Sequence, residues 1–303
     1  WSYLGCRGKA VRIKSPGLCE SIPGTISMKI SVISPVLNEV DFIGYSILAC
    51  LDEMHEFVYS LDANSNDGTR ELLYHIKEKY AHEKLVIIET PTFHPHDTKA
   101  YNAAFDVCIE KATGDACMFL HADQIITNPK RILEIPEGPM AWTTNLTSYA
   151  GDFQTQITKG RATKWKNIHA KQLGLIYRGA YGSQNEDFYH SDITGNVYSH
   201  FGEDLSQYPY ETADSLIEAN HYCELKGYKR RLEKMKLCIR TQYPLMDADT
   251  LNRLAENHPR VTLLPSAKTF GTFEFKKTEN PVPEVFAKYK SESEQFKKEL
   301  AHA

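Results

Sequence analysis

The residues able to do chemistry in this chain gather in four short polar stretches. They read PVLNE over 35–39, DANSNDGT over 62–69, TPTFHPHDTKAYN over 90–102 and HADQ over 121–124. Carboxylates recur among them, at Glu39, Asp62, Asp67, Asp97 and Asp123, and each can accept hydrogen bonds from a ligand or hold a cation. His121 and Asp123 are both metal-ligand types. So are His94, His96 and Asp97, yet no partner motif completes a zinc set around them. For that segment the alternatives are a loop lining a pocket, or a helix entry capped by Asp97 or Thr98.

Each polar stretch follows a short apolar run, at 30–33, 57–61, 85–88 and 117–120, which reads as a buried strand. Between the runs lie helical patterns over 41–53, 67–80 and 98–111, with Asp67 and Thr98 able to cap. Four alternations of strand and helix predict an α/β fold: a mostly parallel, Rossmann-like sheet covered by helices on both faces, with right-handed crossovers. In such sheets ligands sit beyond the carboxyl ends of the strands, which is where all four polar stretches fall.

Composition limits the function classes. With 303 residues and 42% hydrophobic content, the chain can bury one large core or two modest ones. A formal net charge of −4 argues against a polyanion-binding surface, so no nucleic-acid partner is expected. The seven cysteines are an odd set without a CxxC pair, which fits reduced thiols in a cytoplasmic setting. No apolar run approaches the roughly 20 residues of a membrane span, leaving at most a peripheral membrane contact. The first loop lacks GxGxxG and the chain lacks GxxxxGK[ST], which counts against a hydride-transfer enzyme and a P-loop NTPase.

Three longer segments carry a resemblance. KISVISPVLNEVDFI, EFVYSLDANSNDGTRELL and KAYNAAFDVCIEKATGDACMFLHADQII, taken in order, resemble the nucleotide-sugar domain of family 2 glycosyltransferases with the GT-A fold, over about residues 28–127. The resemblance implies that Pro35, Asn38, Glu39 and Asp62 hold the nucleoside, with Asp62 accepting from uracil or ribose and Asn64 and Ser65 adding contacts. A plain turn capped by Asp67 is the local alternative. Asn102 matches a frequent asparagine, and Lys99 stands near a position that is often basic and close to the diphosphate.

The resemblance further reads FLHADQ as a D-x-D element. Asp123 would then bind a divalent metal, Mn2+ or Mg2+, that bridges the donor phosphates and neutralises the leaving nucleoside diphosphate. His121 departs from the pattern, standing where an aspartate is usual, and with Ala122 it would lie beside donor or metal. GNVYSHFGEDL implies His200 as a further metal ligand, and in QNED Asp187 is the expected general base, with Glu186 and Asp192 as rivals. In KGRATKWKNI, Trp165 flanked by Arg161, Lys164 and Lys166 could stack on an acceptor sugar or form an ordinary strand.

The expected organisation is an N-terminal extension over 1–27, a nucleotide-sugar-binding domain over 28–130, an acceptor-side α+β part over 131–205 and a C-terminal helical region over 206–303. Helices are expected over 210–228, 247–259 and 281–303, the last able to dock on the catalytic domain through Val285, Phe286, Tyr289 and Phe296. MDAD at 246–249 reads as a helix N-cap. The resemblance implies a metal-dependent, inverting transfer of a sugar from a nucleotide sugar to a hydroxyl acceptor. UDP is the expected nucleotide, with GDP and dTDP open. A catalytically inactive nucleotide-sugar-binding protein and a nucleotidyltransferase are the alternatives, and the oligomeric state is left open.

Overall fold

The computed structural model describes residues 28–92, 98–135, 141–150, 152–159, 163–171, 175–178, 187–191, 197–199, 212–243, 245–262, 274–278, 284–290 and 294. Its centre is β1 (Ile30–Val36), whose alternating side chains feed two separate layers, Val32 and Val36 entering one and Ile33 the other. β2 (Glu56–Asp62) runs parallel to β1, and β3 (Leu85–Thr90) runs parallel to β2. β4 (Ala116–Phe119) runs parallel to β1 on its other side. The four expected strands therefore form one parallel unit, ordered β3-β2-β1-β4. Every residue of β2 is buried, as strands covered on both faces require.

Helices cover both faces. α1 (Ile43–Leu48) and α2 (Thr69–Lys79) pack Ile43, Ile47, Leu73 and Ile76 against one layer, and α3 (Thr98–Lys111) packs Tyr101, Phe105 and Cys108 against the other. α1 is shorter than the expected 41–53; it has neither a side-chain cap nor an acidic first turn to extend it. At α2 the cap position is Gly68, with φ 95°, and the expected capping residue Asp67 reaches over it to accept from Thr69 N–H at 3.0 Å.

An antiparallel extension continues past β4. It contains β5 (Gln124–Ile126), β6 (Ala141–Ala150), β7 (Thr155–Lys159) and β8 (Lys164–Ala170), with β8 antiparallel to both β4 and β6 and β7 antiparallel to β6. β9 (Leu175–Arg178), β10 (Asp187–Ser191) and β11 (Val197–Ser199) form a separate three-stranded sheet. β12 (Thr212–Glu224) pairs parallel with β6 and antiparallel with β5, and β13 (Glu274–Lys277) closes the far edge on β7.

β12 corrects the helix expected over 210–228. Ser215, Ile217, Ala219 and His221 are buried while Asp214, Leu216 and Glu218 are exposed, which is the two-residue period of a strand. The helix that follows, α4 (Tyr228–Gln242), packs with α5 (Ala248–Glu256) and α6 (Pro259–Thr262) around Met235, Ile239, Leu251, Ala255 and Val261. Asp247 caps α5 as expected, accepting from Thr250 N–H at 2.9 Å. Residues 284–290 are helical, and Phe286 is buried against Phe42, Tyr45 and Tyr222, so this stretch docks on the sheet domain.

Cys50, Cys108 and Cys117 are free and buried, and burial pushes the last two thiols up to about 12. Among the described residues no helix is long and apolar enough to cross a membrane.

Candidate functional site

The loops leaving β1, β2 and β4 meet over one cavity of about 370 Å³. Pro35, Asn38, Glu39, Asp62, Asn64, His121, Ala122 and Asp123, expected from sequence to share a site, all line it. They are distant in sequence and adjacent in space because parallel pairing brings the carboxyl ends of neighbouring strands to one edge.

The first two loops lock together. Asn38 takes a left-handed backbone, φ 56°, which asparagine tolerates better than most residues. Its N–H donates to Ser65 Oγ at 3.1 Å, and its Oδ1 accepts from Asn66 N–H at 2.8 Å. Glu39 N–H donates to Thr69 Oγ1 at 2.7 Å, and Val40 N–H donates to Asp67 at 3.2 Å. Ser65 thus shapes the loop rather than lining the cavity. Asp62 ends β2 fully buried, with Oδ1 accepting from Asn64 N–H at 2.7 Å.

The third loop is held by its own strand. Gln124 Oε1 accepts from His121 N–H at 2.9 Å, and Asp123 O accepts from Tyr222 N–H on β12 at 2.9 Å. The His121 ring stacks on Trp165 at 5.3 Å between centroids and faces His221 at 6.2 Å. Burial, against the pull of Asp123, pushes the His121 imidazole down to about 3, which leaves it neutral. Trp165 therefore meets His121, and neighbouring Lys164 is paired with Asp214.

Opposite the carboxylates stands a cationic face that was not expected from sequence. β12 ends beside Asp123, and the turn into α4 carries Lys226 back over the cavity; Arg230 and Lys234 follow at four-residue intervals and also line it. The Lys226 side chain is 1% exposed, with Nζ donating to Glu39 Oε2 at 2.7 Å and lying 2.7 Å from Asp123 Oδ2. The Asp123 approach is an ion pair without hydrogen-bond alignment. Lys234 Nζ lies 3.9 Å from the same oxygen, and His221 Nε2 lies 3.4 Å from Oδ1. Burial would raise the Asp123 carboxyl, but Lys226, Lys234 and His221 together hold it well below the usual carboxylate range. Arg230 pairs with Asp67 at 2.8 Å.

The divalent metal implied at Asp123 does not fit these residues. Both Asp123 oxygens already face nitrogen, and the nearer is an ammonium at 2.7 Å, where a metal would meet a like charge. Among the described residues there is also no group of three or more His, Cys, Asp or Glu placed to hold an ion.

Other expected residues fall elsewhere. Lys99 is exposed on the first turn of α3 and does not line the cavity, whereas Tyr101 of the same turn does. Asp187 opens β10, but its side chain lies outside the described residues, as do Glu186, Asp192, His200, Arg161 and the 93–97 segment with His94, His96 and Asp97. The cationic face was visible in sequence only as the basic spacing Lys226, Arg230, Lys234 within KGYKRRLEKMK.

A parallel α/β unit whose carboxyl-edge loops close over one polar cavity has the form of a ligand-binding α/β domain. In sequence the chain is similar to a Haemophilus influenzae protein named an uncharacterized glycosyltransferase, at 33% identity over 103 residues, covering 33% of this chain and 38% of the relative. The chain thus spans under two fifths of the length of that curated relative. No family model matches the chain.

Solved structures resemble it loosely. Residues 1–349 of TarS from S. aureus, in complex with UDP, align at 15% identity over 75% of this chain and 70% of that one, with a TM-score of 0.37. Mannosyl-3-phosphoglycerate synthase from Rubrobacter xylanophilus aligns at 12% identity, over 84% and 88%, with a TM-score of 0.39. The inositol-1-phosphate CTP transferase from T. maritima aligns at 8% identity, over 73% and 99%, with a TM-score of 0.36.

Proposed function

We propose that this chain is a glycosyltransferase that moves a sugar from a nucleoside diphosphate sugar to an acceptor hydroxyl. The observation that carries this reading is that one cavity is lined both by acceptors suited to the N–H and O–H groups of a nucleoside, Asp62 and Asn38, and by cations suited to a diphosphate, Lys226, Arg230 and Lys234. The similarity to a protein named a glycosyltransferase supports the same reading. UDP is the nucleotide proposed, since Asp62 can accept from the uracil imide or the ribose hydroxyls.

In the proposed reaction the acceptor oxygen attacks the anomeric carbon as the bond to the diphosphate breaks, and the electron pair leaves on the diphosphate. Preorganised positive charge beside it stabilises what develops there. Attack opposite the leaving group inverts the anomeric carbon. Asp187 is the proposed base, with Glu186 as its rival, taking the hydroxyl proton. No step is assigned to Mn2+ or Mg2+, because such an ion would have to displace the Lys226 ammonium from Asp123.

A thermal-shift panel of UDP-, GDP- and dTDP-sugars tests this reading, since a ligand at about 100 times its Kd raises stability by roughly 2.7 kcal/mol. The expected result is stabilisation by one nucleotide series, followed by nucleoside diphosphate release when hydroxyl acceptors are added. Stabilisation by none of them, with no release, would sink the proposal. Release of pyrophosphate from a nucleoside triphosphate would replace it with nucleotidyl transfer.

A further inference from the structure

Lys226 stands in an unusual position for a lysine. Its side chain is 1% exposed, and its ammonium bridges Glu39 and Asp123 at 2.7 Å from each. A charged ammonium is retained at such depth only when it is paired, so the two carboxylates fix it in place. Two features of the backbone deliver it there. Tyr222 N–H donates to Asp123 O, pinning the third loop to β12, and β12 ends two residues before Lys226. Arg231 then donates through Nη1 to Lys226 O, holding the turn against the start of α4.

Among the described residues, Glu39, Asp67 and Asp123 are ion-paired with Lys226, Arg230 and Lys234 in one linked cluster. A divalent cation entering at Asp123 would meet two ammonium groups on one carboxylate oxygen, Lys226 at 2.7 Å and Lys234 at 3.9 Å. The lining therefore already supplies two ammonium groups beside Asp123.

We infer that Lys226, positioned by Glu39 and Asp123 and flanked by Arg230 and Lys234, is a built-in counter-cation for a nucleoside diphosphate, so that this site binds its nucleotide without a divalent metal. Asp123 is then a positioning residue for the lysine rather than a metal ligand. The inference rests on the nucleotide-sugar reading above and gives its diphosphate contacts a specific chemistry.

Calorimetric titration of the full chain with UDP, GDP and inorganic pyrophosphate, in EDTA and again in manganese, tests it. The expected result is that at least one of them binds, with a Kd in EDTA within about threefold of that in manganese. Lys226→Met should weaken binding in EDTA by roughly 10- to 100-fold, the value of one charge-assisted hydrogen bond, while Lys226→Arg retains most of it. Because Lys226→Met leaves two buried carboxylates unpaired and can impair folding, Lys234→Met serves as the second variant. The Lys234 side chain is 24% exposed, and its removal should weaken binding by about tenfold with the melting temperature unchanged. Binding that requires manganese, or that is unchanged in both methionine variants, overturns the inference and leaves the transferase reading standing. Absence of binding in both buffers overturns both readings.

Discussion

Asn38 and Ser65 lie 27 residues apart and tie the loop after β1 to the loop after β2, with Asn38 N–H donating to Ser65 Oγ at 3.1 Å. The left-handed backbone of Asn38 sets the direction in which the β1 loop leaves the sheet, and its Oδ1 adds a bond to Asn66 N–H. Asn38→Gly should keep the backbone and lose the side-chain bonds, costing about 1 kcal/mol. Asn38→Val should cost more, roughly 2–3 kcal/mol, because a β-branched residue resists positive φ. Urea unfolding compares the two, and equal stability of both variants would contradict the left-handed assignment.

Asp62→Asn separates binding from folding. The asparagine Oδ1 can still accept from Asn64 N–H, so the loop is kept, while the negative charge offered to a nucleoside is removed. Nucleotide affinity should fall by roughly 10- to 100-fold with a melting change of no more than a few degrees. Measured affinity equal to that of the unmodified chain would remove Asp62 from the nucleoside site.

Asp67 gives a pH dependence. Burial raises its carboxyl, but the bonds from Thr69 and Arg230 outweigh burial and hold it below the ordinary range. A carboxyl depressed on folding binds fewer protons in the folded state, so its contribution is fully present above an unfolded value of about 3.9 and is lost as pH falls through the folded value. Stability followed from pH 6 down to pH 3 should therefore decline, and Asp67→Asn should flatten that decline. An equally steep fall in the variant would assign the acid sensitivity to other groups.

Phe286 tests the docking of the C-terminal stretch. It is buried within 6.2 Å, ring centre to ring centre, of Phe42, Tyr45, Tyr222 and Phe153. Phe286→Ala should cost about 3–5 kcal/mol and expose the 284–290 stretch to protease at an early stage. Unchanged protease resistance would mean that this helix contributes nothing to holding the segment down.

The parallel unit was legible because its signals are local. The four apolar runs, each followed by a polar loop, place β1 to β4, and α3 falls on its expected residues, 98–111. β12 carries a helix-like pattern in sequence although buried and exposed residues alternate along it, because Leu216 and Ile217 sit side by side and blur the two-residue period. Only pairing with β6 and β5 makes it a strand, and pairing is non-local.

The sequence by itself determined that Asp62 ends one buried strand and that Asp123 lies in the loop after another, at one edge of a parallel sheet, since apolar runs and strand order decide that much. Tertiary structure alone decided what Asp123 meets there. Lys226 is 187 positions from Glu39 and looks like a surface residue in a basic stretch, yet it is buried between Glu39 and Asp123. A charge interaction depends on distance and burial, and neither is written in the spacing of residues along the chain.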